Sequence, residues 1–334
     1  MKVCSFFAGV GGIDKGFEKA GFNIIWANEI DKLAVQTYAS NFKCDVVRLS
    51  DKAELKPCEN ILVHGDIHKI AADSIPDFEV MVAGFPCQAF SVAGYRKGFK
   101  DDRGNLFFEL ARIFEKKKPQ IIFLENVKNL VSHDGGNTFR VILKALEDNG
   151  YHVKYQVLNA CDYGNLPQNR ERIYVVAFLN KKVYEKFDFP KPVKLTKKIR
   201  DCVSADKQVD ETFLYTPEKC KFYDELAKAI VSEDTLYQWR RVYVRENKSQ
   251  LCPTLTANMG TGGHNVPLIK TKYGIRKLTP KECFSLMGFP KNFKLPKEMA
   301  NSHLYKQAGN SVVVPVIYNI AKNIKKALED ASEV

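Results

Sequence analysis

The chain has 334 residues, 45% hydrophobic and 27% charged, the balance of an ordinary soluble globular protein with room for one large domain and an appendage, or for two. Its 51 Lys and Arg against 39 Asp and Glu leave a net charge of +12, which favours a polyanionic partner, nucleic acid above all, although a merely well-solvated surface carries such an excess too. Nine scattered cysteines form no C-x-x-C pair, His64 and His68 are separated by Gly65 and Asp66, and no apolar stretch is long enough to span a bilayer, so a disulfide framework, a metal site and a membrane protein are all set aside.

The opening "MKVCSFFAGV" imitates a signal peptide, but Gly11, Gly12, Asp14 and Lys15 end the apolar run too early, and a cytoplasmic protein is expected. "KVCSFFAG" reads as a strand, "GIDKGFEKAG" as a helix closed by Gly21, "FNIIWANE" as a second strand, and a helix follows near residues 31 to 41. Further strands are predicted at "ILVHGD", "EVMVAGFP", "QIIFLEN", "HVKYQVLNA" and "RIYVVAFL", with amphipathic helices at "LFFELARIFEKKK" and "TFRVILKALEDNG". Strand and helix alternating in this way imply an α/β fold with a doubly wound, mostly parallel sheet. From about residue 183 to 275 the alternation fails, and a smaller, irregular domain rich in loops is expected there. "TPKECFSLMGF" and "NSVVVPVIYNIAKNIKKAL" are helical again, the second opening at Asn310 or Ser311 as N-cap.

Four constellations carry chemistry. In "FFAGVGGID", Gly9, Gly11 and Gly12 follow a strand and open a helix, so backbone N–H groups can approach a ligand. The spacing is neither the dinucleotide fingerprint nor a phosphate loop. Glu29, about 20 residues on at the next strand end, stands where an acid grips ribose hydroxyls, and Asp66 can accept from an adenine amino group; a nucleoside without a triphosphate is implied. In "GFPCQAF", Cys87 leaves what reads as a buried strand, the edge where α/β proteins bind ligands, although a free cysteine is also a common small core residue. In "LENVKNL", Glu125 and Asn126 end another apolar strand; a carboxylic acid in a dry pocket can donate a proton to a ring nitrogen, or simply cap a helix. In "QNRERIYVV", Gln168, Arg170 and Arg172 alternate and are expected on one strand face, where arginine can support a thiolate or bond a base carbonyl. Together these groups suit attack on an electron-poor pyrimidine ring: thiolate at C6, acid at N3, and a methyl group taken at C5.

The order "FFAGVGGID", "GDI", "GFPCQAFS", "ENV", "QNRER", "RKLTPKECFSLMGFP" and "YKQAGNSVVVP" resembles the DNA (cytosine-5)-methyltransferase family of the bacterial restriction–modification type. The resemblance covers nearly the whole chain outside residues 183 to 250. It implies an S-adenosylmethionine-dependent methyltransferase fold, with residues 1–183 plus 304–334 as the catalytic and cofactor domain, 184–275 as the target-recognition domain and 276–303 as a connecting hinge segment. It makes Cys87 the nucleophile, puts Glu125 on N3 and the amino group, Arg172 on the cytosine O2, and Arg170 and Asn126 in support. S-adenosylmethionine would meet Phe7, Gly9, Gly11, Glu29, Ile30, Asp66, Ile67, Pro86, Leu106 and Asn310. Ile30 departs from the family, where an aromatic often stands. Residues 91 to 105 look like the family's mobile loop.

DNA contacts are expected from Gln88, Ser91, Arg96, Gln238, Arg241, Thr254 and Leu255. Ala93 stands where some members carry the group that fills the vacated stack, so Gln238 or Arg241 is expected to do so. The substrate implied is double-stranded DNA with the target cytosine flipped out. The product is S-adenosylhomocysteine, the enzyme is expected to act as a monomer, and a cognate restriction endonuclease is expected as a functional rather than physical partner. Two other readings stay open: a tRNA cytosine-5 methyltransferase, and an inactive methyltransferase-like DNA-binding regulator, against which intact Cys87, Glu125, Arg170 and Arg172 weigh.

Overall fold

The computed structural model describes residues 1–49, 55–86 and 106–332. The chain divides into two compact units, Met1–Leu158 with Glu171–Lys191 and Val316–Val334, and Asn159–Arg170 with Pro192–Pro315. These limits differ from the expected boundaries at 183, 275 and 303: the segment after 275 stays with the second unit as far as Pro315.

The first unit holds an eight-stranded sheet in the order β3-β4-β2-β1-β5-β6-β8-β7. In chain order the strands are β1 (Lys2–Phe6), β2 (Asn23–Glu29), β3 (Asp45–Arg48), β4 (Ile61–His64), β5 (Val80–Gly84), β6 (Ile121–Val127), β7 (His152–Asn159) and β8 (Glu171–Phe178). β1 pairs in parallel with both β2 and β5, β2 with β4 and β5 with β6, while β8 runs antiparallel to β6. Val80, Met81, Val82 and Ala83 are wholly buried, as a continuous apolar run requires of a strand covered on both faces. Helices α1 (Gly12–Lys19), α2 (Lys32–Ala39), α3 (Leu106–Lys117) and α4 (Asn137–Asp148) belong to the same unit. Asp31 caps α2, accepting from the N–H groups of Leu33 and Ala34. α3 buries Phe107, Phe108, Leu110, Ala111, Ile113 and Phe114, the one-sided pattern of a helix lying on a sheet.

Two details fix the start of the chain. Gly16 on α1 admits the last helix, Val314–Ser332, so closely that a Cβ there would stand 2.4 Å from Ile317 Cγ2. Asp14, fully buried on the same helix, accepts from Ser5 Oγ on β1 and from the Tyr38 hydroxyl on α2, both at 2.6 Å. One carboxylate thus ties β1, α1 and α2 together beneath the glycine turn.

The second unit contains a four-stranded antiparallel sheet, β10-β9-β11-β12, made from β9 (Tyr237–Trp239), β10 (Val244–Glu246), β11 (Leu268–Thr271) and β12 (Gly274–Lys277). The irregular domain expected from the sequence therefore has a sheet, of strands too short to show a period. Phe222 stacks on Trp239 at 4.2 Å, and Arg276 forks onto Glu282 at 2.7 and 2.8 Å with both side chains buried. Glu282 also completes a capping box with Thr279 at the head of the helix Pro280–Leu286. The helix expected to open at Asn310 or Ser311 begins instead at Val314. Asn310 ends the preceding helix, Asn301–Asn310, and Ser311 follows in extended backbone, so neither residue caps the last helix. Among the described residues no helix is long and apolar enough to cross a membrane.

Two stability predictions follow from these buried charges. Burial pushes the Asp14 carboxyl up to about 6, against the bonds from Ser5 and Tyr38, so the folded state holds this proton more tightly than the unfolded one. Its contribution is then greatest below the ordinary carboxyl range and is lost as pH rises through about 6, a change on the order of 3 kcal/mol. In urea melts, Asp14→Asn should gain on the parent by that amount between pH 4 and pH 7; a pH-independent difference would contradict the account. Arg276→Met should cost about 3–5 kcal/mol in the same melts at pH 7, because Glu282 is left buried without its counter-charge.

Candidate active site

The parallel strands of the first unit finish on one edge. Phe6 lies opposite Asn28 and Ala83, Glu29 opposite His64, and Gly84 opposite Glu125, so the residues after β1, β2, β4, β5 and β6 emerge together. After β1 the chain turns through Phe7 and Gly9, both left-handed at φ +52° and +57°, and Gly11 then heads α1 at φ +82°. The Gly9 N–H donates to Glu29 Oε2 at 2.7 Å, while Oε1 accepts from the N–H groups of Ile30 and Asp31. Burial raises the Glu29 carboxyl above its usual range, and the three donors pull against that rise. Asn28 Nδ2 donates to the carbonyls of Val63 and Gly65, holding the turn that carries Asp66 and Ile67.

The residues of this edge suit a nucleoside. Among the described residues, chain neighbours apart, no atom lies within 4 Å of where a Gly9 Cβ would stand, Ile30 is 61% exposed despite being apolar, and Phe7 is half-buried. A carboxylate has about four acceptor directions, so Glu29 keeps capacity for ribose hydroxyls beyond its three backbone donors. Leu106 is half-buried at the head of α3, and Pro86 is exposed where β5 leaves the sheet. The Ile67 side chain, expected at the ligand, is buried in the core, which leaves only its main chain on this edge.

Cys87, together with Gln88, Ser91, Arg96 and the rest of 87–105, lies outside the described residues. The support for Cys87 is described. Asn126 Nδ2 donates to the Phe85 carbonyl at 2.8 Å and its Oδ1 accepts from Val127 N–H, locking the peptide two residues ahead of Cys87 to β6. Glu125, at the same strand end, meets Arg172 with Nε to Oε1 at 3.3 Å, and both side chains are largely buried. The antiparallel pairing of β8 brings this about, since Val127 faces Arg172.

Gln168, Arg170 and Arg172 do not share a strand face, because β8 begins only at Glu171. Arg172 belongs to the first unit, whereas Gln168 and Arg170 are buried in the second. There Arg170 donates to the carbonyls of Leu255 at 2.6 Å, Gly309 at 3.0 Å and Ser311 at 2.5 Å. Gln168 donates to the Leu286 carbonyl and accepts from Leu255 N–H. Arg170 is therefore a clamp on two chain segments, at Leu255 and at Gly309–Ser311. Leu255, expected among the DNA contacts, is 1% exposed: its apolar side chain belongs to the core, and its backbone is what Gln168 and Arg170 hold. Thr254 donates to the Asn169 carbonyl. Asn310 is exposed at the end of its helix in the second unit.

Gln238 and Thr254 line one cleft of about 290 Å³ in the second unit. Arg240 joins them, donating to Gln238 Oε1 at 3.3 Å, and was not singled out from the sequence, although it repeats the alternation of "QWRR" two residues on. Arg241 is exposed at the hairpin tip with φ +65°. Exposed Val242 and Tyr243 complete that tip.

Comparison with known proteins places this geometry. The model of the C-5 cytosine-specific DNA methylase family matches residues 1–326. The Type II methyltransferase M.Bsp6I of Bacillus sp. (strain RFL6) is 59% identical over 98% of this chain and 99% of its own length. The Type II methyltransferase M.HhaI of Haemophilus parahaemolyticus is 37% identical over 98% of this chain and 95% of its own. Among solved structures, the Dnmt2 methyltransferase of S. pombe superposes with a TM-score of 0.72 at 19% identity, over 98% of this chain and 99% of that one, a likeness of fold. With the family's model matched almost from end to end and a sheet edge that gathers the expected carboxylates, this chain belongs to the C-5 cytosine-specific DNA methylases and is a DNA (cytosine-5)-methyltransferase.

Proposed function

We propose that the protein methylates C5 of a cytosine flipped out of a short duplex DNA site, through a covalent bond between Cys87 and C6, and that it protects DNA from a cognate restriction endonuclease in the cytoplasm. The observation that carries the reading is the Glu125–Arg172 pair at the end of β6, beside the strand that delivers Cys87. S-adenosylmethionine, when bound, supplies the methyl group and leaves as S-adenosylhomocysteine. Phe7, Gly9, Glu29, Ile30 and Asp66 would hold its adenosyl part, with Glu29 on the ribose and Asp66 on the adenine amino group. Gly11, Pro86 and Leu106 would line the pocket.

The Cys87 thiolate adds to C6, and the ring's electron pair moves toward N3, where Glu125 offsets the charge with a hydrogen bond. Arg172 fixes the Glu125 carboxyl and donates to the cytosine O2. Once C5 is methylated, its proton leaves to a base, the C–H electron pair re-forms the C5=C6 double bond, and the C6–S bond breaks so that Cys87 departs as thiolate. Asn126 supports these groups through the Phe85 and Val127 backbone it holds, while Arg170 fixes the Leu255 and Gly309–Ser311 backbone of the second unit. The flipped base costs a few kcal/mol of stacking and pairing, offset by these contacts and by a side chain filling the gap, for which Gln238 and Arg241 remain the candidates. Gln88, Ser91, Arg96 and Thr254 would also meet the duplex, and the +12 charge would supply phosphate affinity.

Bisulfite sequencing of mixed-sequence duplex DNA after incubation with S-adenosylmethionine should reveal protected cytosines in one short context, absent with Cys87→Ser. Protection of tRNA cytosines alone would refute the DNA substrate. Glu125→Gln should lower kcat by about 10²–10⁴-fold, the range for losing a positioned acid, while duplex affinity in a gel-shift titration stays within a few-fold. A comparable loss of DNA affinity would contradict that role for Glu125.

A further inference from the structure

The turn that carries Asp66 is anchored more firmly in its backbone than in the one side chain the cofactor reading needs. Ile67 and Ile70 are buried, and Arg112 on α3 donates to the Ile70 carbonyl at 2.8 Å, its own guanidinium aligned by Glu109. Main-chain bonds from Lys69 to Asp66 and from Ile70 to Ile67 close the turn. The Asp66 side chain, by contrast, is 41% exposed, and exposed carboxylates ordinarily sample several rotamers.

We infer that His68 is a positioning residue for adenine recognition: it fixes Asp66 through Oδ1 so that Oδ2 is presented to the adenine amino group. His68 Nδ1 lies 2.7 Å from Asp66 Oδ1, and the His68 backbone N–H donates to the same oxygen at 3.1 Å. Oδ2 carries no hydrogen bond to the described residues. Two donors on one oxygen define the plane and direction of the carboxylate. Nδ1 must carry a proton for this bond, which it does in the imidazolium and in one neutral tautomer, so the arrangement does not depend on charging the ring. A freely rotating carboxylate would lose side-chain entropy each time adenine bound; His68 removes that cost in advance.

The inference rests on the proposed contact between Asp66 and adenine, and the test separates the two. Calorimetric titration of the full chain with S-adenosylhomocysteine and with S-inosylhomocysteine, which has no amino group, gives a preference ratio for each variant. His68→Ala should weaken S-adenosylhomocysteine by about tenfold, the scale of one hydrogen bond to a charged group, with S-inosylhomocysteine within about twofold of the parent. In turnover, KM for S-adenosylmethionine should rise and kcat stay near the parent value. His68→Asn, whose carboxamide can donate where Nδ1 does, should restore the preference. Equal weakening of both ligands by His68→Ala would show a merely structural role and overturn the inference, as would an unchanged preference in His68→Ala when Asp66→Ala abolishes it. An unchanged preference in Asp66→Ala would remove the Asp66 contact itself, and the inference with it.

Discussion

Strand register is the constraint on which the site depends. β1, β2, β4, β5 and β6 pair in parallel, with a one-residue shift between β1 and β2 at Val3 and Cys4, and the shared edge that results gathers Phe7, Ile30, Asp66, Phe85 and Glu125. Shifting a strand by one residue would turn every side chain on it to the opposite face. The buried carboxylate of Asp14 guards that register at its centre, because it accepts at once from β1 and from α2 across α1. A buried charge is costly, and here hydroxyl donors rather than a counter-ion offset the cost. The glycine turn above it stands on a fixed base.

The site uses backbone more than side chains to keep its groups in place. Glu29 is held by three N–H groups, and Asn126 by a carbonyl and an N–H. Backbone donors cannot rotate away, so such groups are set before a ligand arrives, the condition under which electrostatic stabilisation is most effective. Glu125 with Arg172 and Asp66 with His68 are the exceptions, pairs of side chains, and the first pair sits where the proposed reaction would need a group able to respond to charge.

What the sequence made legible follows from how far each signal reaches. Fully buried strands such as β5 read as continuous apolar runs, and the glycine turn with Glu29 about 20 residues on pointed to a nucleoside edge. β3 went unseen because Asp45 and Val46 are exposed on a sheet-edge strand and blur its pattern. The short strands of the second unit, three or four residues each, cannot express a period of two. Alternation alone made Gln168, Arg170 and Arg172 look like one strand face. Bonds to Leu255, Gly309 and Ser311, far along the chain, are what hold Arg170 apart from β8, and local spacing cannot foresee them. Leu255 shows the same limit, since a motif position says nothing of which way its side chain faces.

The close seat at Gly16 also bears on the order of folding. Its occupant, Ile317, lies in the last helix, and residues 192–315 intervene between Lys191 and the return of the chain to the first unit. At ribosomal rates of about 5–20 residues per second, translating that stretch takes on the order of 10 s. Through that interval the nascent sheet and α1 present an apolar groove with no cover. A chain built in this way has reason to fold its second unit promptly, or to be met by a chaperone, before the groove finds a neighbour on the polysome.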